Sequence, residues 1–174
     1  IHCRKAGKHT KQCDMSKAKK EIILIGAGGH CRSVIDVIEH IGEYRIAGLV
    51  GMSAEAGQKV LGYTVIGTDD DLDRLVKEYS DFHIALGFIR SPQRRVDLWN
   101  WLTEHKANMP VLISPLAYVS VHAVVGAGTA VMHQALVNAS AIVGNNVIIN
   151  TKALIEHDAF VGDHSHIATA AIIN

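Results

Sequence analysis

The chain has 174 residues, of which 48% are hydrophobic and 20% are charged, a balance typical of folded globular proteins. Basic and acidic residues both number 17, so the net charge of zero argues against a nucleic-acid partner, and no apolar run is long enough to span a membrane. The three cysteines are too few and too scattered to predict a disulfide framework, so we expect a reducing, cytoplasmic location.

The start of the chain differs in composition from the rest. Residues 1–14 are basic, polar and without periodicity, and Met15 follows them at a position that resembles a translation start. We therefore expect residues 1–18 to be a disordered leader or tag outside the fold. The histidines and cysteines in this segment lack the close spacing of zinc ligands, so we do not predict a metal site there.

Strand and helix patterns alternate from residue 19 to residue 113. An apolar run at 21–25 leads into a glycine turn and then into an apolar helical face that ends at Gly42. A later helix is predicted to begin at Ser91-Pro92 and to end near His105. Further strands are predicted over residues 46–50, 65–66, 82–86 and 109–113. The alternation predicts a small, parallel, Rossmann-like α/β domain over residues 19–113.

The glycine turn after the first strand reads Gly26-Ala27-Gly28-Gly29. Backbone N–H groups in such a turn can hold a phosphate, helped by the dipole of the helix that follows. The dinucleotide fingerprint is only partly met, because Cys31 replaces its third glycine and Gly51-Met52 replaces the acid expected after the second strand. A mononucleotide or sugar-nucleotide phosphate is therefore favoured over NAD, and a turn required only for packing is the alternative.

A second wall for the same pocket is predicted at the end of the strand over residues 82–86. Gly87 follows this strand, and Arg94 and Arg95 lie in the next helix. Their guanidinium groups would neutralise a phosphate in the pocket. An ordinary exposed position for both arginines is the alternative.

From Val119 onward the sequence repeats every six residues. Each first position holds an aliphatic residue, the fifth position is mostly small, and the second is often Gly or Asn. The first-position residues are Val119, Val125, Val131, Val137, Val143, Ile149, Ile155, Val161, Ile167 and Ile173. The alternation of an ordinary sheet does not produce this period. We predict a left-handed parallel β-helix over residues 114–174, in which three six-residue edges form one triangular coil and each coil stacks on its neighbours.

The main candidate for acid–base chemistry within the repeats is His157. It occupies a third position, which points outward, and Glu156 and Asp158 flank it. A carboxylate beside an imidazole can fix its tautomer and raise its basicity. A lone surface histidine is the alternative. His157, His164 and His166 together suggest a metal site, but they lie on different edges of the coil, so no metal is expected.

Two segments, residues 150–158 and 161–167, resemble the hexapeptide-repeat sugar acetyltransferases. The most similar group contains sialic acid O-acetyltransferases and the bacillosamine and perosamine N-acetyltransferases, whose N-terminal domain opens with a glycine turn like that at 26–30. The resemblance covers residues 19–174, and its specific part is the pattern I-N-T-x-x-x-I-E-H. It implies an N-terminal domain that binds a nucleotide-linked sugar, a β-helix that binds acetyl-CoA, and a homotrimer with its active site between adjacent subunits.

The resemblance also implies roles for individual residues. His157 matches the proposed general base, Asp158 matches an acid that orients it, and Glu156 is the second acid beside it. Asn150 matches an asparagine near the site, and His166 matches a histidine near the acetyl-CoA thioester. The residues that match the sugar-nucleotide pocket are Gly26, Gly28, Gly29, His30 and Gly87, to which we add Arg94.

Two departures from the family pattern bear on function. Gly51-Met52 stands where the family often has acids that hold the nucleotide, which leaves the identity of the nucleotide open. Asn174 falls at the second position of a repeat, whereas family chains continue for two or three further coils that form much of the acetyl-CoA groove. We therefore expect the chain to be truncated at its C-terminus, which puts its competence as an enzyme in question.

These features together predict an acetyl-CoA-dependent N-acetyltransferase that acts on a nucleotide-linked amino sugar in surface-glycan biosynthesis. Sialic acid O-acetylation is the alternative activity, and it would depend more on His157 because a hydroxyl needs more help from a base than a neutral amine. A non-catalytic trimeric scaffold or sugar-nucleotide-binding protein is the third hypothesis. The expected partners are the sugar substrate and further copies of the chain, without nucleic acid, membrane or metal.

Overall fold

The computed structural model describes residues 19–174, so the leader predicted over residues 1–18 lies outside the described residues. An α/β region comes first and a β-helix follows it, which confirms the predicted fold class. Within the described part of the chain, no helix combines the length and the apolar character that crossing a membrane requires.

The α/β region contains five strands and three α-helices. In chain order they are β1 (Lys20–Ile25), α1 (Gly29–Ile41), β2 (Tyr44–Val50), β3 (Lys59–Val60), β4 (Tyr63–Gly67), α2 (Leu72–Glu78), β5 (Asp81–Ile84) and α3 (Gln93–Glu104). The sheet order is β3-β4-β2-β1-β5, and every neighbouring pair is parallel except β3 with β4. Two short 3₁₀ helices, Ser53–Glu55 and Asp69–Asp71, complete the region.

The central strand β1 is apolar without alternation because both faces of the sheet are covered. Ile22 and Leu24 pack in one core cluster with the apolar face of α1. Ile23 and Ile25 point to the opposite face and pack in a second cluster with residues of α2 and α3. Such a continuous apolar run is typical of a parallel strand buried on both sides. Helix α1 ends as predicted, with Gly42 in the left-handed conformation at φ 73°.

The predicted strand over residues 109–113 is corrected in both length and partner. Only β6 (Leu112–Ile113) forms, and it pairs with β9 (Ala130–Val131) of the β-helix instead of the α/β sheet. Pro110 interrupts the predicted strand because it has no backbone N–H to donate to a ladder. The six-residue repeat therefore starts at Ile113, one repeat before Val119.

The β-helix consists of two-residue strands that recur every six residues and form three parallel sheets. The first face contains β7 (Tyr118–Val119), β10 (Leu136–Val137), β13 (Leu154–Ile155) and β16 (Ile172–Ile173). The second face contains β8 (Val124–Val125), β11 (Ile142–Val143) and β14 (Phe160–Val161). The third face contains β6, β9, β12 (Ile148–Ile149) and β15 (His166–Ile167).

The two inward columns of the prism agree with the prediction from the repeat. First-position side chains such as Val137 and Ile149 are fully buried, and so are fifth-position side chains such as Ala141 and Val147. From Gly128 onward, the fourth position turns each corner in the left-handed backbone conformation, with φ between 53° and 65°. The residues in that column are Gly128, Gln134, Ser140, Asn146, Lys152, Asp158, His164 and Ala170.

The three outer faces differ in what covers them. On the third face, the outward side chains of Leu112, Ala130 and Ile148 are buried, and the first two belong to the same apolar cluster as α1. On the first and second faces, the outward side chains are largely exposed, as at Ile142 and Phe160. The α/β region therefore covers one side of the prism and leaves two apolar sides bare.

Candidate active site

A cavity of about 1040 Å³ lies where the α/β region meets the β-helix. Three segments line it: the first turn of α1, the loop after β5, and the corner between the third and first faces. The lining residues are Gly29, His30, Ser33, Gly87, Phe88, Ile89, Arg90, Asn150, Thr151, His166 and Thr169. The fold thus brings together five residues that the sequence predicted for the site from distant parts of the chain: Gly29, His30, Gly87, Asn150 and His166.

His166 is held in one orientation by contacts on both ring nitrogens. Its Nδ1 lies 2.9 Å from the Phe88 carbonyl oxygen, which can only accept, so neutral His166 carries its proton on Nδ1. Nε2 then accepts a hydrogen bond from Asn150 Nδ2 at 3.3 Å. The Asn150 amide is itself fixed, because its Oδ1 accepts from Thr151 N at 2.8 Å. His166 therefore joins the loop after β5 to the β-helix.

His30 faces the same cavity with its ring centroid 6.4 Å from that of His166. Burial lowers the pKa of His30 to about 4, with smaller contributions from the charges of Arg95 and His166, so the ring is neutral at physiological pH. Its Nε2 is buried and has no hydrogen-bond partner among the described residues. A Cβ at Gly87 would lie 3.1 Å from the His30 Cβ, which explains why glycine suits this part of the loop.

The sequence predicted that Arg95 either binds a phosphate or lies on the surface, and both predictions are wrong. Arg95 is instead a buried residue that links parts of the fold. Its exposed fraction is 2%. Nη1 donates to the carbonyl oxygens of Ile84 and Leu86 at 2.6 and 2.7 Å, and Nη2 donates to Asn146 Oδ1 at 2.5 Å. Burial lowers the pKa of Arg95 to about 10, so it remains charged. Arg95 ties the end of β5 to a corner of the β-helix.

The glycine turn lines a second, smaller cavity of about 280 Å³. Gly26 has φ 126° and a Cβ there would lie 2.9 Å from the Ala85 carbonyl oxygen, so the turn requires glycine. Gly28 caps α1 without a side-chain hydrogen bond, which leaves the first N–H groups of the helix available. Arg94 lines this smaller cavity and pairs with Asp69 at 2.9 Å. Gly26, Gly28 and Arg94 thus lie apart from the larger cavity.

Glu55 is a residue of this smaller cavity that the sequence did not reveal. Its Oε2 accepts a hydrogen bond from Met52 N at 2.8 Å. A Cβ at Gly51 would lie 2.8 Å from the same oxygen, so Gly51 makes room for this carboxylate. The 3₁₀ helix Ser53–Glu55 therefore supplies an acid to the pocket where the position directly after β2 has none. No pattern in the sequence indicates this role, because it depends on the contact of the Glu55 carboxylate with Met52 N.

His157 lies at the corner between the first and second faces, with 73% of its side chain exposed. Its Nδ1 is 2.7 Å from Asp158 Oδ2, and this hydrogen bond raises the pKa of His157 above its ordinary value. Glu156 does not hydrogen-bond the ring: its Oε2 accepts from His157 N at 3.1 Å and from the Asn138 side-chain amide at 2.8 Å. The imidazole thus has one carboxylate partner and an otherwise open environment.

A single chain does not bring His157 to the larger cavity. Asn150 and Thr151 lie at one edge of the first face, and His157 lies at the opposite edge. Six residues of extended chain run between the two edges, which are therefore roughly 15–20 Å apart. None of the residues 156–158 lines either cavity. Among the described residues, the three histidines His157, His164 and His166 also do not approach closely enough to share a metal ion.

Comparisons with known proteins place these features in a family. The PglD N-terminal domain family matches residues 21–102. A histidine-to-asparagine variant of perosamine N-acetyltransferase from Caulobacter crescentus, solved with CoA and GDP-perosamine, is 31% identical with a TM-score of 0.80. That match covers 87% of this chain and 70% of the Caulobacter chain.

A second similar structure is the acetyltransferase domain of PglB from Neisseria gonorrhoeae in complex with acetyl coenzyme A. It is 32% identical with a TM-score of 0.79, and the match covers 88% of this chain and 73% of that chain. WeeI from Acinetobacter baumannii has a TM-score of 0.72 at 16% identity, which supports the fold alone. No curated protein matches the sequence significantly. The similarity to the perosamine and PglB enzymes shows that the chain belongs to the hexapeptide-repeat sugar acetyltransferase family.

Proposed function

We propose that the protein is an acetyl-CoA-dependent N-acetyltransferase that acts on a nucleotide-linked amino sugar. The observation that carries this proposal is the larger cavity, in which the first turn of α1, the loop after β5 and the Asn150–His166 pair face one another. The similar Caulobacter enzyme, solved with CoA and GDP-perosamine, supports the same class of substrates.

The nucleotide end of the substrate fits the smaller cavity. The free N–H groups at the start of α1 and the Arg94 guanidinium suit the diphosphate, because both provide positive charge next to the glycine turn. The Glu55 carboxylate suits the ribose hydroxyls, which donate hydrogen bonds to an acid in other nucleotide sites. The sugar then extends from the glycine turn past His30 toward Asn150 in the larger cavity.

Acetyl transfer requires a nucleophile, a base and stabilisation of the oxyanion. The sugar amine attacks the thioester carbonyl, the new C–N bond forms, and the C–S bond breaks to release CoA as its thiol. His157 accepts the proton that the amine loses and passes it to the departing thiolate, and Asp158 orients the ring and raises its pKa. Backbone N–H groups of the coil stabilise the oxyanion. His166 in its neutral form has no free N–H, so its role is to position Asn150 and the loop after β5.

A trimer supplies the missing neighbour for His157. The exposed first and second faces meet at the corner that carries His157, and they bear exposed apolar side chains such as Tyr118 and Phe160. Because the two faces are different surfaces of one prism, contact between them is heterologous, and a rotation of one third of a turn between copies closes it into a trimer. We propose that a neighbouring copy packs against the first face of this chain. Its His157 then lies at the edge of the larger cavity of this chain.

The test is an acetylation assay with three acceptors: a GDP- or UDP-linked 4-amino sugar, the same nucleotide with a 4-hydroxyl sugar, and sialic acid. We expect acetyl-CoA to release free thiol only with the amino sugar, with a mass gain of one acetyl group on the product. Thiol release with sialic acid alone would instead identify an O-acetyltransferase. Binding of the sugar nucleotide without any thiol release would identify a non-catalytic binding protein.

A further inference from the structure

A cluster of three metal-ligating side chains lies on the opposite half of α1 from the cavity. Asp36 and His40 are one turn apart on the helix, and His133 is at the third position of the corner between the third and first faces. One possible ligand atom from each residue lies within 4.8 Å of the other two. Two imidazoles and one carboxylate from two different parts of the fold therefore converge on one point.

The distances within this cluster are close to those of a zinc site. His133 Nε2 is 2.7 Å from Asp36 Oδ2, and His40 Nδ1 is 3.5 Å from Asp36 Oδ1. Ligand bonds of about 2.0–2.2 Å in a tetrahedral site place neighbouring ligand atoms about 3.3 Å apart. The two imidazole rings meet edge to face, with centroids 5.2 Å apart. Binding of an ion requires the His40 ring to turn, because its Nδ1 now also lies 2.8 Å from the Asp36 backbone carbonyl oxygen.

The outer contacts of His133 also suit a metal ligand. Its Nδ1 lies 2.6 Å from Ser114 Oγ, which in addition accepts a hydrogen bond from Leu116 N. With an ion on Nε2, the neutral ring carries its proton on Nδ1 and donates it to Ser114 Oγ. The side chain of His133 is 19% exposed and that of Asp36 is 50% exposed, so water can reach the remaining ligand position.

An Asp36–His133 hydrogen bond without metal is the simpler explanation for two of the three residues. His40 also has a metal-free contact, because its Nδ1 lies 2.8 Å from the Asp36 backbone carbonyl oxygen, so the case for an ion is the convergence of all three side chains on one point. Carboxylate and two imidazoles form a donor set suited to Zn²⁺, which is commonly bound by three protein ligands and one water.

We propose that Asp36, His40 and His133 bind one Zn²⁺ ion, with a water molecule as the fourth ligand. The ion joins α1 to the β-helix at the end of the helix remote from His30. It therefore clamps the two parts of the fold that form the larger cavity, and it takes no part in acetyl transfer.

The test uses the full chain, freed of metal with a chelator and then titrated with ZnCl₂ by calorimetry and thermal melting. At zinc one hundred times the dissociation constant, we expect Tm to rise by about 5 °C or more. CoCl₂ in place of zinc should give the visible absorption of a tetrahedral cobalt site.

His133→Gln is the main variant, because its amide can still contact Asp36 and Ser114 while it removes a ligand. We expect zinc affinity at this site to fall more than about 100-fold, since the loss of outer-shell partners alone costs 10–100-fold. His40→Ala should have the same effect, and its exposed position leaves folding intact. His122→Gln, at another exposed corner, is the matched control and should bind zinc as the original protein does.

Equal zinc affinity in the original protein, His133→Gln and His40→Ala would overturn the proposal, because the ion would then bind elsewhere. Absence of any zinc-dependent change in Tm or heat would also overturn it. Neither readout involves acetyl-CoA, so the result is separate from that of the acetylation assay.

Discussion

At the scale of single residues, His157 is so exposed that its replacement should affect catalysis without affecting folding. Its side chain is 73% exposed, and Asp158 is its one side-chain hydrogen-bond partner among the described residues. We expect His157→Asn to lower kcat by about 10²-fold, the usual contribution of a general base. KM for the sugar nucleotide and Tm should change little, because the side chain lies outside the cavities and the core. Steady-state kinetics and thermal melting would measure this, and an unchanged kcat would contradict the assignment.

The hydrogen bond that His157 donates to Asp158 gives a second prediction, on pH dependence. This bond raises the pKa of His157, so in the original protein the acid limb of kcat/KM against pH lies above the ordinary histidine value. Asp158→Asn removes the raising charge, and we expect the limb to move to lower pH while kcat on the plateau falls. Glu104→Gln, an exposed acid on α3, should leave the profile unchanged. A limb that stays in place would exclude His157 as the titrating group.

Some of these residues could be identified in the sequence and others could not. The period of six fixes the direction of each side chain in a coil, so the outward position of His157 followed from its place in the repeat. The roles of Glu55 and Arg95 depend on contacts that the repeat does not encode. Arg95 is buried because Asn146, 51 positions away, presents its amide and carbonyl oxygens to the guanidinium. No local pattern carries that information.

At the scale of elements, Arg95 connects α3, the end of β5 and the β-helix. Arg95→Met leaves the carbonyl oxygens of Ile84 and Leu86 and the Asn146 amide without their donor in a buried site. We expect a loss of about 3 kcal/mol in the free energy of unfolding, since each hydrogen bond to a charged group contributes about 1.5–3 kcal/mol. Urea denaturation would measure it. Arg94→Met, which removes an exposed ion pair, should change stability by less than about 1 kcal/mol.

The elements with a clear apolar period were predictable, and the short strands outside that period were not. Helix α1 and strand β1 follow directly from the spacing of their apolar residues. Strand β3 was missed because its hairpin turn, Leu61-Gly62, places a leucine at φ 48° where Asn or Asp is usual. Strand β6 was assigned to the wrong sheet, because its partner β9 follows it by eighteen residues and only the coil defines that pairing.

At the scale of the whole molecule, two buried histidines predict an acid-sensitive fold. Burial lowers the pKa of His30 to about 4 and that of His83 to about 3, whereas in the unfolded chain both titrate near the ordinary value of 6.5. Between these values the unfolded chain binds more protons than the folded one. The free energy of unfolding should therefore decrease as pH falls from about 6.5 toward 3.

Urea denaturation at pH 7, 5 and 4 would measure this decrease. His83→Leu removes one of the two buried groups and should make the decrease shallower, while His122→Gln, on the exposed surface, should not. Stability that is constant over this range, or that rises as pH falls, would contradict neutral, buried histidines.

The bare faces of the β-helix lead to a prediction about assembly. Ile142 is on the second face with 49% of its surface exposed, and a charge there would have to be buried against a neighbouring copy. We expect Ile142→Glu to convert the proposed trimer to a monomer and to abolish acetylation, while circular dichroism is unchanged. Lys59→Glu on the edge strand β3 is the control. Light scattering after gel filtration would measure the mass, and a trimeric, active Ile142→Glu would contradict the proposed interface.

The buried third face has a consequence for how the chain unfolds and how it can be divided. Leu112 and Ala130 of the β-helix share one apolar cluster with Val34 and Ile35 of α1, so neither part buries its apolar surface without the other. The architecture thus changes near residue 113, as the sequence predicts, but we expect the two parts to unfold together as one cooperative unit. Separate expression of either part would expose this surface and favour aggregation. A chimera with a relative should fold only if the residues on both sides of this contact come from the same protein.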